Sequence, residues 1–164
     1  MKTIIAFVMA FLASAAIWWL YFTSVAALGE HYLEVADHRT TLARDAYTYL
    51  HVVFVAGIIL SAVGDELVIA HPCEILPPYE VAAVAAGPAV YLLAHTLFGY
   101  RLTGSWYRSK VLGTLACVAA GFAGLFVPAL VLGAALIVVL VAVIAAGHLA
   151  APRPLEQSAD LHQV

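Results

Sequence analysis

Charged residues are scarce in this chain. Only 10% of its 164 residues are Asp, Glu, Lys or Arg, while 65% are hydrophobic and the mean hydropathy is +1.00. Ordinary soluble domains carry about 25% charged residues, because their surface must be solvated by water. The formal net charge of −3 and the lack of a basic run argue against a nucleic-acid partner. The composition therefore predicts an integral membrane protein whose first partner is the lipid bilayer.

Features that indicate other classes of protein are also missing. Cys73 and Cys117 are too few for a disulfide framework or a metal site, and no asparagine is present to accept a glycan. No GxSxG, HExxH, Walker A or dinucleotide fingerprint occurs. The segment SAVGDEL contains a serine and two acids but no positioned base, so it is weak support for an intramembrane hydrolase. We predict neither an enzyme nor a cofactor.

Apolar runs long enough to cross a bilayer are abundant. The first begins like a secretory signal, but it continues through IWWLYFTSVAAL without a break, which argues against cleavage. The polar stretch from Gly29 to Asp45 reads as a surface helix between two spans. We predict an all-α polytopic bundle in one domain, residues 1–150, with a polar cytoplasmic tail at 151–164. Its five transmembrane helices are predicted at about 4–28, 46–71, 80–99, 111–127 and 129–150.

The cations predict the orientation of these spans. Five spans put six of the seven cations on one side and leave only Lys2 on the other. The positive-inside rule places the six in the cytoplasm, with the N-terminus outside and the C-terminus inside. The outer side then carries a formal charge of −3 and the inner side zero. The six inner cations are Arg39, Arg44, Arg101, Arg108, Lys110 and Arg153.

The second span contains two adjacent acids, Asp65 and Glu66, and the rest of the chain is organised around it. Asp45 is its predicted N-cap and Pro72 its stop, because proline has no N–H and restricts the residue before it. Apolar Leu67 to Ala70 follows the acids, so they are expected below the membrane surface. There, desolvation and mutual repulsion favour at least one protonated carboxyl. Such a pair is a candidate proton or cation site. Alternatively, both side chains reach the outer interface or bond to a neighbouring helix.

Histidines supply further pathway candidates. At 100° per residue, His51 shares a helix face with Tyr47, Ile58 and Asp65, and we expect that face to meet other helices. His95 lies at a similar depth on the third span. The two histidines could serve a proton relay, but His51 is about 21 Å from Asp65 along the helix axis, so such a relay needs intermediates. Histidines hydrogen-bonded between helices are the alternative.

Small residues predict where helices pack closely. Gly113, Cys117 and Gly121 lie on one face of the fourth span, and Gly124 lies on another with two alanines. Such faces permit close approach of helices. They are compatible with packing inside the chain, with a homo-oligomer, or with a partner membrane subunit.

Three segments resemble the C-terminal part of the bacterial low temperature requirement A (LtrA) membrane proteins. They are WWLYF, ARDAYTYLHVVFVAGIILSAVGDELVIAHP and GPAVYLLAHTLFGYRLTG, and the resemblance covers about Ile17 to Gly104. Members of that family are much longer, and their N-terminal half has no counterpart here. The resemblance implies a polytopic protein of the bacterial cytoplasmic (inner) membrane with a role in growth in the cold. It implies no catalytic residue, and it leaves open a truncated copy, a split subunit or a remnant.

Two functions follow from the sequence. One is proton- or cation-coupled transport through Asp65 and Glu66, with His51 and His95 as pathway candidates. The other is a non-transporting scaffold or accessory subunit that assembles with a separate N-terminal half or with itself. The substrate and the oligomeric state do not follow from the sequence.

Overall fold

The computed structural model describes residues 1–23, 40–103 and 106–150. In this part of the chain the regular elements are α-helices, without strands, which confirms the predicted all-α class. The predicted surface helix is described only from residue 40 onward, where it continues into α2, and the predicted tail lies outside the described residues. The five helices are α1 Lys2–Tyr21, α2 Thr40–Ala70, α3 Pro78–Thr103, α4 Arg108–Gly124 and α5 Ala129–Ala150.

Four of these helices are long and apolar enough to cross a membrane. The qualifying segments lie in α1, α2, α3 and α5. The remaining helix, α4, has 17 residues. Its length is about 26 Å, which is less than the roughly 30 Å hydrocarbon layer. The fifth span therefore stays a prediction.

The boundaries of α2 and α3 differ from the predicted ones. Asp45 lies inside α2, which begins at Thr40, so its predicted role as an N-cap was wrong. No proline or glycine interrupts residues 40–45, and helix formation therefore continues through them. The other end agrees with prediction, since α2 ends at Ala70, shortly before Pro72. Helix α3 starts with Pro78 in the first turn, where a missing N–H costs nothing.

The helix ends define two ends of the bundle. The backbone N–H of Ala129 donates to the Glu74 carbonyl at 2.9 Å, and that of Leu130 donates to the Pro72 carbonyl at 3.0 Å. The loop after α2 thus satisfies free donors at the start of α5. We call this the Pro72 end. The Lys110 end is opposite, where Trp19 of α1 donates to His148 of α5 at 3.4 Å.

The closest helix contact joins α2 to α3. A Cβ added at Gly57 would lie 2.8 Å from the Tyr91 backbone nitrogen, and one at Gly64 would lie 2.9 Å from the Val84 Cα. A Cβ at Gly87 would lie 2.6 Å from the Ser61 Cα. Real Cβ atoms do not approach backbone this closely, so these three glycines let the two backbones touch.

The other helices complete a bundle around this pair. Helix α1 contacts α2 and α5, and α4 contacts α3 and α5. Cys117 is fully buried, and a Cβ at Gly121 would lie 2.9 Å from the Ala85 Cβ. Gly113 and Gly124 are buried against side chains of α3 and α5. The small residues of α4 therefore pack within this chain.

Large apolar side chains cover much of the outer surface. Phe7 and Phe11 of α1 and Leu112, Leu115 and Phe122 of α4 are each at least 60% exposed. In water such a surface would be strongly unfavourable, whereas lipid tails solvate it.

Replacement of Gly57 by alanine should destabilise the fold. The added methyl would collide with the Tyr91 backbone, and overpacking of this kind costs about 1–3 kcal/mol. Gly147→Ala is the matched control, because a Cβ there has nothing within 4 Å. Thermal unfolding in detergent, followed by tryptophan fluorescence, should give a lower Tm for Gly57→Ala only. Equal Tm values for the two variants would contradict the close contact.

Candidate functional site

The two adjacent acids point to different surroundings. Asp65 is partly buried and lines a cavity inside the bundle, whereas Glu66 is exposed on the outside of α2. Successive residues of a helix are rotated by about 100°, so neighbours in sequence face different directions. Asp65 is therefore the one carboxylate of this pair that faces the interior.

The cavity beside Asp65 is small and almost entirely apolar. Its volume is about 30 Å³, which is room for about two water molecules. Helices α1, α2, α3 and α5 all contribute to its wall. Asp65 and Ser61 provide its polar side chains, and the remaining lining includes Ala6, Met9, Val68, Pro88 and Leu136.

Ser61 stands one helical turn before Asp65 and faces the same cavity. Its hydroxyl donates to the Gly57 carbonyl at 2.9 Å, so the lone pairs of its oxygen remain available. Within the described residues, Asp65 has no hydrogen-bond donor and no cationic partner. A serine oxygen and an unpaired carboxylate thus face one small space.

A backbone carbonyl adds a third oxygen. Pro88 lies inside α3 and has no N–H, so the Val84 carbonyl lacks its usual helical partner four residues on. Val84 and Pro88 both line the cavity, and the Val84 oxygen would lie 3.4 Å from a Cβ at Gly64. The carbonyl therefore lies beside α2 at Gly64, the residue before Asp65.

His51 lies in a separate groove between α1 and α2. This groove has a volume of about 460 Å³ and is lined largely by aromatic and aliphatic side chains, including Trp18, Tyr21 and Phe54. The His51 and Tyr21 rings are 6.4 Å apart. The groove and the Asp65 cavity share two lining residues, Ile17 and Ser61, so the two spaces adjoin there.

The buried face of α2 differs from the predicted one. His51 is exposed and Ile58 is 42% exposed, and both line the groove toward α1. The face that packs into the bundle consists instead of Phe54, Gly57, Ser61, Gly64 and Val68. Close approach at the two glycines selects this face, because α3 can come nearest where α2 has no side chain. The side chain of Tyr47 lies outside the described residues.

His95 lies in an aromatic cluster made by Tyr21, Phe54, Tyr91, His95 and Phe98. It is 1% exposed, and its ring is 4.8 Å from those of Phe54 and Tyr91. Its Nε2 has no hydrogen-bond partner among the described residues. The Tyr91 hydroxyl donates to the Ile17 carbonyl at 2.7 Å and ties α3 to α1. His95 does not line the Asp65 cavity.

The histidines and cysteines form no metal centre in the described part of the chain. No group of three or more His, Cys, Asp or Glu side chains there is placed to hold a metal ion. Cys73 is exposed and Cys117 is buried, and both are free thiols.

Ser61 and the Val84 carbonyl were not among the predicted site residues. Two signals were present: the four-residue spacing of Ser61 and Asp65, and a proline inside the third apolar run. The spacing places serine and acid on one face, and the proline frees a carbonyl one turn earlier. Only the α2–α3 contact brings these groups together.

Four long apolar helices around an internal carboxylate define a helical bundle of membrane-protein type. Residues 1–145 match the family described as "Bacterial low temperature requirement A protein (LtrA)". The chain belongs to the LtrA family. The match extends beyond the 17–104 region where the sequence resemblance was recognised.

The chain is similar to "Uncharacterized protein RA0937" of Rhizobium meliloti (strain 1021). It is 32% identical over 93 residues, which are 57% of this chain and 22% of that protein. The chain thus spans about a fifth of that relative's length. No solved structure matches the chain significantly.

Proposed function

We propose that this LtrA-family protein transports protons or monovalent cations across the bacterial cytoplasmic membrane, with Asp65 as the residue that carries the ion. The observation that carries this proposal is the Asp65 carboxylate facing a cavity enclosed by four helices. On this proposal the protein catalyses no covalent reaction and needs no cofactor.

The free-energy cost of placing the charged Asp65 carboxylate within the bilayer supports the proposal. A charged carboxylate within a bilayer is expensive, and such residues commonly mark ion pathways. Neither a donor nor a cation compensates Asp65 within the described residues. A purely structural acid would be expected to bond to a neighbouring helix. A proton or a cation from solution would neutralise it instead.

The His51 groove supports the proposal by offering an approach to the cavity. The groove extends from His51 and Tyr21 toward Ser61, where it meets the Asp65 cavity. His51 lies about 21 Å from Asp65 along the axis, toward the Lys110 end. The aromatic cluster around His95 lies beside this route, since Phe54 belongs to both. Ser61 and Ile17 separate the two spaces and would act as the gate.

Charge distribution supports the orientation that we propose. Arg101 and Arg108 are exposed and Lys110 is buried at one end of the bundle, while Lys2 lies at the other. The positive-inside rule would put the Lys110 end in the cytoplasm and the Pro72 end outside. The protein would then cross the membrane several times with its N-terminus outside.

A second candidate function is that of a non-transporting subunit or scaffold. It is favoured by the length comparison, because the matched region is 22% of the Rhizobium relative. The large apolar side chains on α1 and α4 could meet lipid, another copy of the chain or a partner membrane subunit.

Substitution of Asp65 by asparagine should abolish ion flux. The amide has nearly the same shape but neither exchanges a proton nor neutralises a cation. Purified protein in liposomes, with an internal pH dye and an imposed proton or sodium gradient, measures this flux. We expect Asp65→Asn to fall to the level of protein-free liposomes. Glu66→Gln is the matched control and should keep most of the flux, because Glu66 faces away from the cavity.

Undiminished flux in Asp65→Asn would contradict the transport proposal. Flux that is absent from the wild-type chain alone, but appears with a copurified N-terminal half, would favour the subunit function.

The native Cys73 tests the orientation. Cys73 is exposed at the Pro72 end, whereas Cys117 is buried. A maleimide that cannot cross membranes should label Cys73 in intact cells. In a Cys73→Ser background, Trp106→Cys at the Lys110 end should be labelled only after lysis. The reverse pattern would show that the protein is inserted the other way round.

A further inference from the structure

We propose that the cavity between Ser61, Asp65 and the Val84 carbonyl binds one dehydrated sodium ion. This inference rests on the proposed transport function, because it concerns the same Asp65 cavity, and it specifies which ion binds there.

The donor set favours a hard cation. Three of the lining residues can offer oxygen: Asp65 its carboxylate, Ser61 its hydroxyl and Val84 its backbone carbonyl. Oxygen ligands suit the hard cations of groups 1 and 2, whereas transition metals prefer imidazole or thiolate. Neither histidine nor cysteine is among the described residues of the cavity wall.

The charge balance favours a monovalent cation over a divalent one. Asp65 is the single titratable residue among the described residues that line the cavity from α1, α2, α3 and α5. One carboxylate neutralises one positive charge, and a divalent ion would leave a net charge inside the bilayer. Glu66 faces outward and does not supply the second negative charge.

The size of the cavity favours a small ion without its water shell. A volume of about 30 Å³ holds about two water molecules, so an ion with its full hydration shell or an organic cation does not fit. The protein oxygens must then replace the hydration shell. The Val84 carbonyl is suited to this role because Pro88 cannot donate to it. Backbone carbonyls of interrupted membrane helices coordinate sodium in the same way.

Protons should compete with sodium for this site. Binding requires the ionised Asp65 carboxylate, and a proton on the same oxygens would occupy it. Among the described residues no other titratable side chain lines the cavity, so sodium affinity should fall as the pH is lowered and Asp65 takes up a proton.

Sodium-dependent stability of the purified full chain tests this inference. A ligand that binds only the folded state raises the Tm as its concentration increases. We expect the Tm in detergent to rise with NaCl relative to choline chloride at equal ionic strength, and to rise less with KCl. Glu66→Gln should respond like the wild type. Ser61→Ala should need about tenfold more sodium, and Asp65→Asn should not respond. The Tm of each variant in choline verifies that it folds.

Three results would overturn the inference: a wild-type Tm that ignores sodium, an equal response to potassium, or a sodium response that survives in Asp65→Asn. The outcomes also separate this inference from the proposed function. If proton flux depends on Asp65 but sodium has no effect on the Tm, transport stands and the ion is a proton. If sodium stabilises the protein but no flux occurs, the site stands and transport fails.

Discussion

The structure depends on the contact between the backbones of α2 and α3. Gly57, Gly64 and Gly87 remove the side chains that would hold these helices apart. Inside a membrane there is no hydrophobic drive to bring helices together, so close van der Waals contact has to stabilise the pair. Because the glycines face α3, Ser61 and Asp65 on the same side of α2 are turned toward the interior of the bundle. The close packing of α2 against α3 therefore also determines which polar groups lie together.

The same contact creates the chemistry of the cavity. It brings the Val84 carbonyl, which Pro88 deprives of its helical partner, beside the α2 face that carries Asp65. Helices α1 and α5 then cover this place with apolar side chains. The result is a partly buried acid that has neither a hydrogen-bond donor nor a cationic partner among the described residues. An ion bound at this position would neutralise the Asp65 carboxylate, whose charge is energetically unfavourable within the bilayer.

The sequence predicted the positions of the helices along the chain better than it predicted which face of a helix is buried. Long apolar runs and the stop at Pro72 were sufficient to place α5 at its predicted bounds and the end of α2 to within one residue, whereas α4 lies three residues before its predicted span. Asp65 was predicted as a site residue because a charged carboxylate within a bilayer is energetically unfavourable. The partition of Asp65 and Glu66 between inside and outside, and the position of His51 in a groove, required the contacts with α1 and α3. A rotation of 100° per residue relates residues on one helix, but it does not specify which face the neighbours cover.

The ion site requires that Asp65, and not Glu66, faces the cavity inside the bundle. A hydrophobic carbodiimide, which enters the membrane and attacks protonated carboxyl groups, tests this placement most directly. After treatment of the protein in membranes with and without sodium, mass spectrometry of peptides should locate an adduct on Asp65 that sodium suppresses, whereas any adduct on the outward-facing Glu66 should not respond to sodium. Sodium protection of Glu66, or no protection of Asp65, would contradict this placement.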